Sequence, residues 1–167
     1  MTEDLWKIYE ANKEWIKFAD TKAIAFIAII GVIFNVLYKI ADEIISLSNY
    51  NIVKILYGVS IVLLVVSLLL SVYCLLPRTS KTDGADVNLI YYKSINDNFD
   101  SEEKYCDAIN NENINFKGQL CVQNYQLASV ATTKYSIVTW SLILFAAGFV
   151  LIIIFMFLLK MGWSFDV

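Results

Sequence analysis

From Tyr135 to Leu159 the chain carries no charged side chain, and the run ends at Lys160 and Trp163, a cation able to snorkel and an interfacial aromatic. A segment of this length and character crosses a bilayer. A second run, Val53 to Leu76, holds only Lys54 at its outer end and is closed by Pro77. As a helix it rises about 36 Å at ~1.5 Å per residue, enough to cross a ~30 Å hydrocarbon layer with some tilt. The first run, Ala23 to Leu37, reaches spanning length when Phe18 and Ala19 are counted with it, which brings Asp20 and Lys22 to the membrane boundary. It follows a polar amphipathic lead and precedes no small-residue cleavage site, so it reads as a membrane helix rather than a signal peptide.

Composition agrees with the three runs. Hydrophobic residues make up 58% of the 167, above the roughly 45–50% of soluble domains, so lipid must take part of the burial. The chain has no histidine, which removes the usual zinc sites, Ser-His-Asp triads and a pH switch near neutrality. Cys74, Cys106 and Cys121 form no Cys-x-x-Cys pair and read as reduced packing residues. A net charge of -3 leaves no basic footprint for nucleic acid.

Lysine and arginine bias sets the expected orientation. Lys7, Lys13, Lys17 and Lys22 precede span one, and Arg78, Lys81, Lys93, Lys104, Lys117 and Lys134 lie between spans two and three; only Lys39, Lys54 and Lys160 remain for the other side. The expected protein is therefore an all-α membrane protein with its N-terminus in the cytoplasm. Its parts are a cytoplasmic amphipathic helix (1–22), span one (23–40), an external loop (41–52), span two (53–76), a small helical cytoplasmic region (77–134), span three (135–160) and an external tail (161–167).

The amphipathic helix is started by Thr2 and has Leu5, Ile8 or Tyr9, Trp15 or Ile16 and Ala19 at helical spacing, with Glu3, Lys7, Glu10, Glu14 and Lys17 on the other face. No proline or glycine separates it from span one. After the polar link RTSKTDGAD comes an element over Val87–Ile95, then a helix opened by Asp100 with Glu103 three residues on, a capping-box pattern. An Asn-rich turn, 110–115, ends it. From Phe116 or Gln119 the pattern Leu120, Tyr125, Leu127, Ala128, Ala131 runs without a breaker into span three.

Three cations, Lys22, Arg78 and Lys134, share the inner boundary with Asp20. Asp20 has Lys17 within helical reach, whereas Lys22 and Lys134 have only uncharged neighbours three and four positions away and need partners from elsewhere. Two readings are open. In one, this level and aromatics such as Trp15, Tyr91, Tyr92 and Tyr125 hold an anionic ligand, phosphate on Lys or Arg and ring on ring. In the other, the cations meet lipid head groups and Asp20 pairs with Lys22 between helices. Within the spans, Gly31 and Asn35, then Ser60, Ser67, Ser71 and Cys74, then Thr132, Ser136 and Thr139 form polar stripes, which favour close helix packing within one protomer over a pore lining.

Ala19-Asp20-Thr21-Lys22-Ala23 entering span one, Leu76-Pro77-Arg78 leaving span two, Tyr91-Tyr92, the Asp100-Ser-Glu-Glu-Lys-Tyr helix, and Leu127-Ala128 with Lys134-Tyr135 resemble, in order, the Pycsar effector transmembrane (PycTM) family. The resemblance implies an antiphage effector of the bacterial inner membrane, activated by cyclic UMP or cyclic CMP from a partner pyrimidine cyclase and acting through loss of membrane integrity with growth arrest or death of the infected cell. It implies no enzymatic activity and no cofactor beyond the activating cyclic pyrimidine mononucleotide. Carried over by position, Asp20, Thr21, Lys22 and Lys134 are the ligand-binding or coupling candidates; the boundary charges add Arg78, and the anionic-ligand reading adds Trp15, Tyr92 and Tyr125 as base-stacking candidates. One protomer of three spans is too thin to enclose a water path, so a homo-oligomer is expected. Two other classes compete. A small three-span kinase of the diacylglycerol kinase type needs carboxylates for magnesium near the boundary, and Asp20 alone is well placed. A membrane-anchored interaction subunit would show no nucleotide dependence.

Overall fold

The computed structural model describes residues 2–46, 51–77, 88–111 and 115–162. Among these the regular structure is helical throughout: α1 (Thr2–Ser46), α2 (Asn51–Leu75), α3 (Tyr92–Asn98), α4 (Glu102–Asn110) and α5 (Phe116–Gly162). α1, α2 and α5 each contain a stretch long and apolar enough to cross a membrane. The chain divides into two bodies, Met1–Phe18 with Pro77–Thr133 and Ala19–Leu76 with Lys134–Val167, and α1 and α5 each contribute to both.

The apolar body is built on a 4-3 alternation. On α1 it runs Ala19, Ala23, Phe26, Ile30, Ile33, Leu37, Ile40, Ile44; on α2 Val53, Tyr57, Ser60, Leu64, Ser67, Ser71, Cys74; on α5 Lys134, Val138, Ser141, Phe145, Gly148, Ile152, Phe155, Leu159. All are buried or half-buried. A mean spacing of 3.5 residues is the one that keeps a seam facing its neighbours when helices pack knobs into holes at shallow angles. The opposite faces are apolar too, for example Ile55, Val62 and Leu69 on α2, all more than half exposed. Nothing among the described residues covers them, so hydrophobicity by itself does not mark which face packs inward.

Polar and small residues do. Ser67 Oγ and Ser141 Oγ lie 3.0 Å apart and each also reaches the other's backbone carbonyl, at 2.8 and 2.9 Å. Ser71 Oγ adds a contact to Ser141 Oγ at 2.8 Å. Two turns of α5 further on, a Cβ on Gly148 would lie 3.3 Å from Leu63 and 3.4 Å from Leu64, so α2 and α5 meet with little room between backbones. The serine stripe of α2 is thus entirely buried, as its spacing suggests. The Thr132, Ser136, Thr139 stripe differs: it faces outward, and Ser141 is the residue of α5 that meets the serines. Thr132 Oγ1 bonds back to the Ala128 carbonyl, which satisfies a hydroxyl without a second helix.

At the far end Tyr57 packs edge-on against Phe155 at 5.7 Å and donates its hydroxyl to the Leu37 carbonyl at 3.2 Å. α1 continues to Ser46, so residues 41–46, expected in an external loop, are helical. Ile44 explains the extension, being 1% exposed in the cluster that holds Val53. α2 stops at Leu75, two residues before Pro77, where the ring disfavours helical backbone in the preceding residue.

In the other body Leu5, Tyr9, Asn12 and Ile16 form the half-buried face of α1, while Ile8 and Trp15 turn outward. Lys7 pairs with Glu3 at 2.9 Å on the exposed face. Asn12 Nδ2 donates to the backbone carbonyl of Asn124 (3.3 Å) and Asn124 Nδ2 to that of Leu5 (2.9 Å), two side-chain-to-backbone bonds between α1 and α5. Of the element expected over 87–95, Tyr92–Ile95 open α3, and residues 88–91 form a turn in which Asn88 Oδ1 accepts from the N–H groups of Ile90 (2.8 Å) and Tyr91 (3.0 Å). Gln119 Oε1 accepts from the Leu89 N–H, and Tyr105 donates to the Leu89 carbonyl, both at 2.9 Å. Ser101, not Asp100, caps α4, accepting from the Lys104 N–H, because Asp100 bonds the Lys104 ammonium at 3.3 Å. α5 opens with Asn115 Oδ1 accepting from the Gly118 N–H at 2.8 Å; a Cβ on Gly118 would lie 2.7 Å from that same amide, which is why the position suits glycine. On the part of α5 that belongs to this body, Tyr125 is exposed while Gln123 and Asn124 are buried.

Candidate functional site

Asp20, Lys134 and Cys74 converge where the three spans meet. Lys134 occupies a seam position of α5, so its side chain is only 6% exposed, and its ammonium meets Asp20 Oδ1 at 2.5 Å. Asp20 sits beside the α1 seam and keeps 31% of its side-chain exposure. Ala19 and Ala23, fully buried one turn apart, let the backbone of α1 come close, and Val138, Leu75 and Ile137 close the apolar wall. Cys74 Sγ lies 4.0 Å from Asp20 Oδ1 and 3.9 Å from the Lys134 carbonyl, and its single proton can serve one of these at a time. Lys22 Nζ stands 5.7 Å from the ring centre of Tyr135, a cation over an aromatic face.

Such a pair specifies more than it stabilises. Desolvating two charges offsets much of their attraction, whereas removing one partner leaves the other stranded in apolar surroundings. The pair therefore fixes which faces of α1 and α5 meet. The helical-neighbour argument that gave Asp20 to Lys17 is corrected here: the partner is Lys134, whose buried ammonium has a carboxylate from another helix within reach. That also answers what Lys134 needs.

The other candidates stand as follows. Thr21 and Lys22 are on the exposed side of α1. Arg78 lies outside the described residues. Trp15, Tyr92 and Tyr125 belong to the other body, at 55%, 70% and 80% exposure, Trp15 edge-on to Phe18 and Tyr92 tilted against Tyr91. Burial pushes the Tyr91 phenol above its usual range, with Tyr92 and Asp97 adding to the effect. Among the described residues no three His, Cys, Asp or Glu side chains converge as metal ligands. Ser141, Asn88, Gln123 and Asn124 were not singled out from sequence; the seven-residue spacing Lys134, Ser141, Gly148, Phe155 would have found the first.

Three apolar helices closed on a polar seam and an interhelical ion pair, two of them shared with a small polar body, define a multi-pass helical membrane protein. The chain belongs to the Pycsar effector protein domain family, PycTM, with residues 4–160 matched. It is similar to the Pycsar effector protein SaPycTM of Staphylococcus aureus, 29% identical over 137 residues that cover 81% of this chain and 82% of the relative. It is also similar to PtPycTM of Propioniciclava tarda, 26% identical over 168 residues, covering 97% and 82%. No solved structure matches.

Proposed function

We propose that this antiphage-family effector senses a cyclic mononucleotide, cyclic UMP or cyclic CMP, on the cytoplasmic side and then impairs inner-membrane integrity, arresting or killing the infected cell. The family match over residues 4–160 carries the reading. The N-terminus and the region between spans two and three face the cytoplasm in this account, where a pyrimidine cyclase supplies the ligand. Asp20, Thr21, Lys22, Arg78 and Lys134 act as ligand-binding or coupling residues, and Trp15, Tyr92 and Tyr125 as stacking surfaces for the base. A nucleotide shifts the protein toward its active arrangement only by its differential affinity for that arrangement. The Asp20–Lys134 pair suits such a switch, since it is a discrete contact that is either made or broken. The active form contains several copies, and the protein itself performs no chemistry on the ligand.

The test is an equilibrium titration of the detergent-purified protein with cyclic UMP, cyclic CMP and cyclic AMP. Saturable binding of a cyclic pyrimidine nucleotide, weakened in Lys22→Ala, is expected. Absence of binding to all three overturns the reading in favour of a nucleotide-independent membrane anchor.

A further inference from the structure

We infer that the outward face of α1 is an interface between copies of this chain, glued by a reciprocal pair of Asn35 amides. Asn35 lies inside span one, roughly 20 Å along the helix from Lys22 and about 6 Å before Lys39 at ~1.5 Å per residue. It is exposed, and among the described residues it makes no hydrogen bond. Water could satisfy such an amide; hydrocarbon cannot, so a second polar group must reach it from outside the protomer.

Its helical neighbours form a seam of their own. Ile24, Ala28, Gly31, Asn35 and Tyr38 follow the same 4-3 alternation as the buried face and are all exposed, Tyr38 by 83%. Gly31 is not required by packing within the protomer, because a Cβ there meets nothing within 4 Å. A glycine in a helix interior is unfavourable by itself, and with Ala28 one turn away it leaves space for another backbone to approach.

The amide identifies the occupant. The Tyr57–Leu37 bond and the Tyr57–Phe155 contact place the outer parts of α2 and α5 at the level of Asn35. The side chains exposed there, Val59 on α2 and Ile153 and Ile154 on α5, are apolar, and the Ser60 hydroxyl is already committed to the Tyr57 carbonyl. A second copy inserted in the same orientation brings its own Asn35 to the same depth. A primary amide carries donor and acceptor together, so two of them complement each other, and one amide at a seam position sets register. The inference rests on the three-span reading alone and stands or falls separately from the nucleotide titration.

Cysteine crosslinking in native membranes tests it. In a Cys106→Ser, Cys121→Ser background, Ala28→Cys, Gly31→Cys and Tyr38→Cys are oxidised and compared with Val62→Cys on the outward face of α2. Disulfide-linked dimers at the three α1 positions, and few at Val62→Cys, are expected. Adding Asn35→Val to Gly31→Cys should weaken association about three- to twentyfold, the range of an interhelical hydrogen bond in membranes. Thermal stability of the protomer in detergent should be unchanged by Asn35→Val, which separates lost association from lost folding. Failure to crosslink, preferential crosslinking at Val62→Cys, adducts with another protein, or an unchanged dimer yield with Asn35→Val each overturns the proposal.

Discussion

Substituting Asp20 and Lys134 separately should have unequal consequences, and the inequality follows from their burial. Asp20→Ala strands an ammonium that is 6% exposed, whereas Lys134→Ala leaves a carboxylate that is 31% exposed and can recover part of its hydration. Removing one partner of a buried pair costs about 3–5 kcal/mol, and a lysine at membrane depth about 2.5–3.5 kcal/mol, so about 3–4 kcal/mol is expected for Asp20→Ala. Screening at the more open carboxylate reduces Lys134→Ala to about 1–2 kcal/mol. The double variant removes both charges and should be more stable than Asp20→Ala, with a coupling energy of about 2 kcal/mol. At about 2–4 °C per kcal/mol for a chain of this size, Asp20→Ala should lower Tm by about 10 °C. Buried Cys74 offers the readout, through a thiol-reactive dye during heating in a Cys106→Ser, Cys121→Ser background. Additive single effects, or a larger loss for Lys134→Ala, would refute the reasoning.

Other predictions concern packing and titration. Ser141→Ala removes the hydroxyl that Ser67 and Ser71 share, and should cost about 0.6–1.7 kcal/mol in the same assay. Gly148→Ala asks Leu63 and Leu64 to give by a few tenths of an ångström and is tolerated within about 1 kcal/mol, while Gly148→Leu forces α2 and α5 apart for about 3 kcal/mol. Tyr91 ionises later in the folded protein than in the unfolded chain. Its contribution is therefore fully present below the ordinary phenol pKa of about 10 and is lost as pH rises through the raised value. Tyr91→Phe should flatten that alkaline decline in a denaturation series from pH 9 to 12.

Charge counts and run lengths were enough to find three spans, because the membrane demands about twenty apolar residues whatever they pack against. They were not enough to orient the helices, since lipid and protein are equally apolar surroundings for Leu69 and Leu64. The serines and Cys74 marked the inward face of α2 because a hydroxyl or thiol in lipid seeks a partner. Thr132 misled for the opposite reason, as its hydroxyl is content with its own helix. Lys134 was legible as a cation in need, but its partner was not: only the fold brings residue 20 within reach of residue 134. In the polar body Gln123 and Asn124 occupy the core, where a search for apolar periodicity overlooks them and selects Tyr125 instead.

Dye release from proteoliposomes addresses the central claim most directly. Protein reconstituted with its N-terminus accessible should release trapped dye on addition of cyclic UMP or cyclic CMP, in a saturable manner, and remain tight without ligand. Vesicles that stay sealed with both nucleotides, while the same preparation remains folded, would contradict the account.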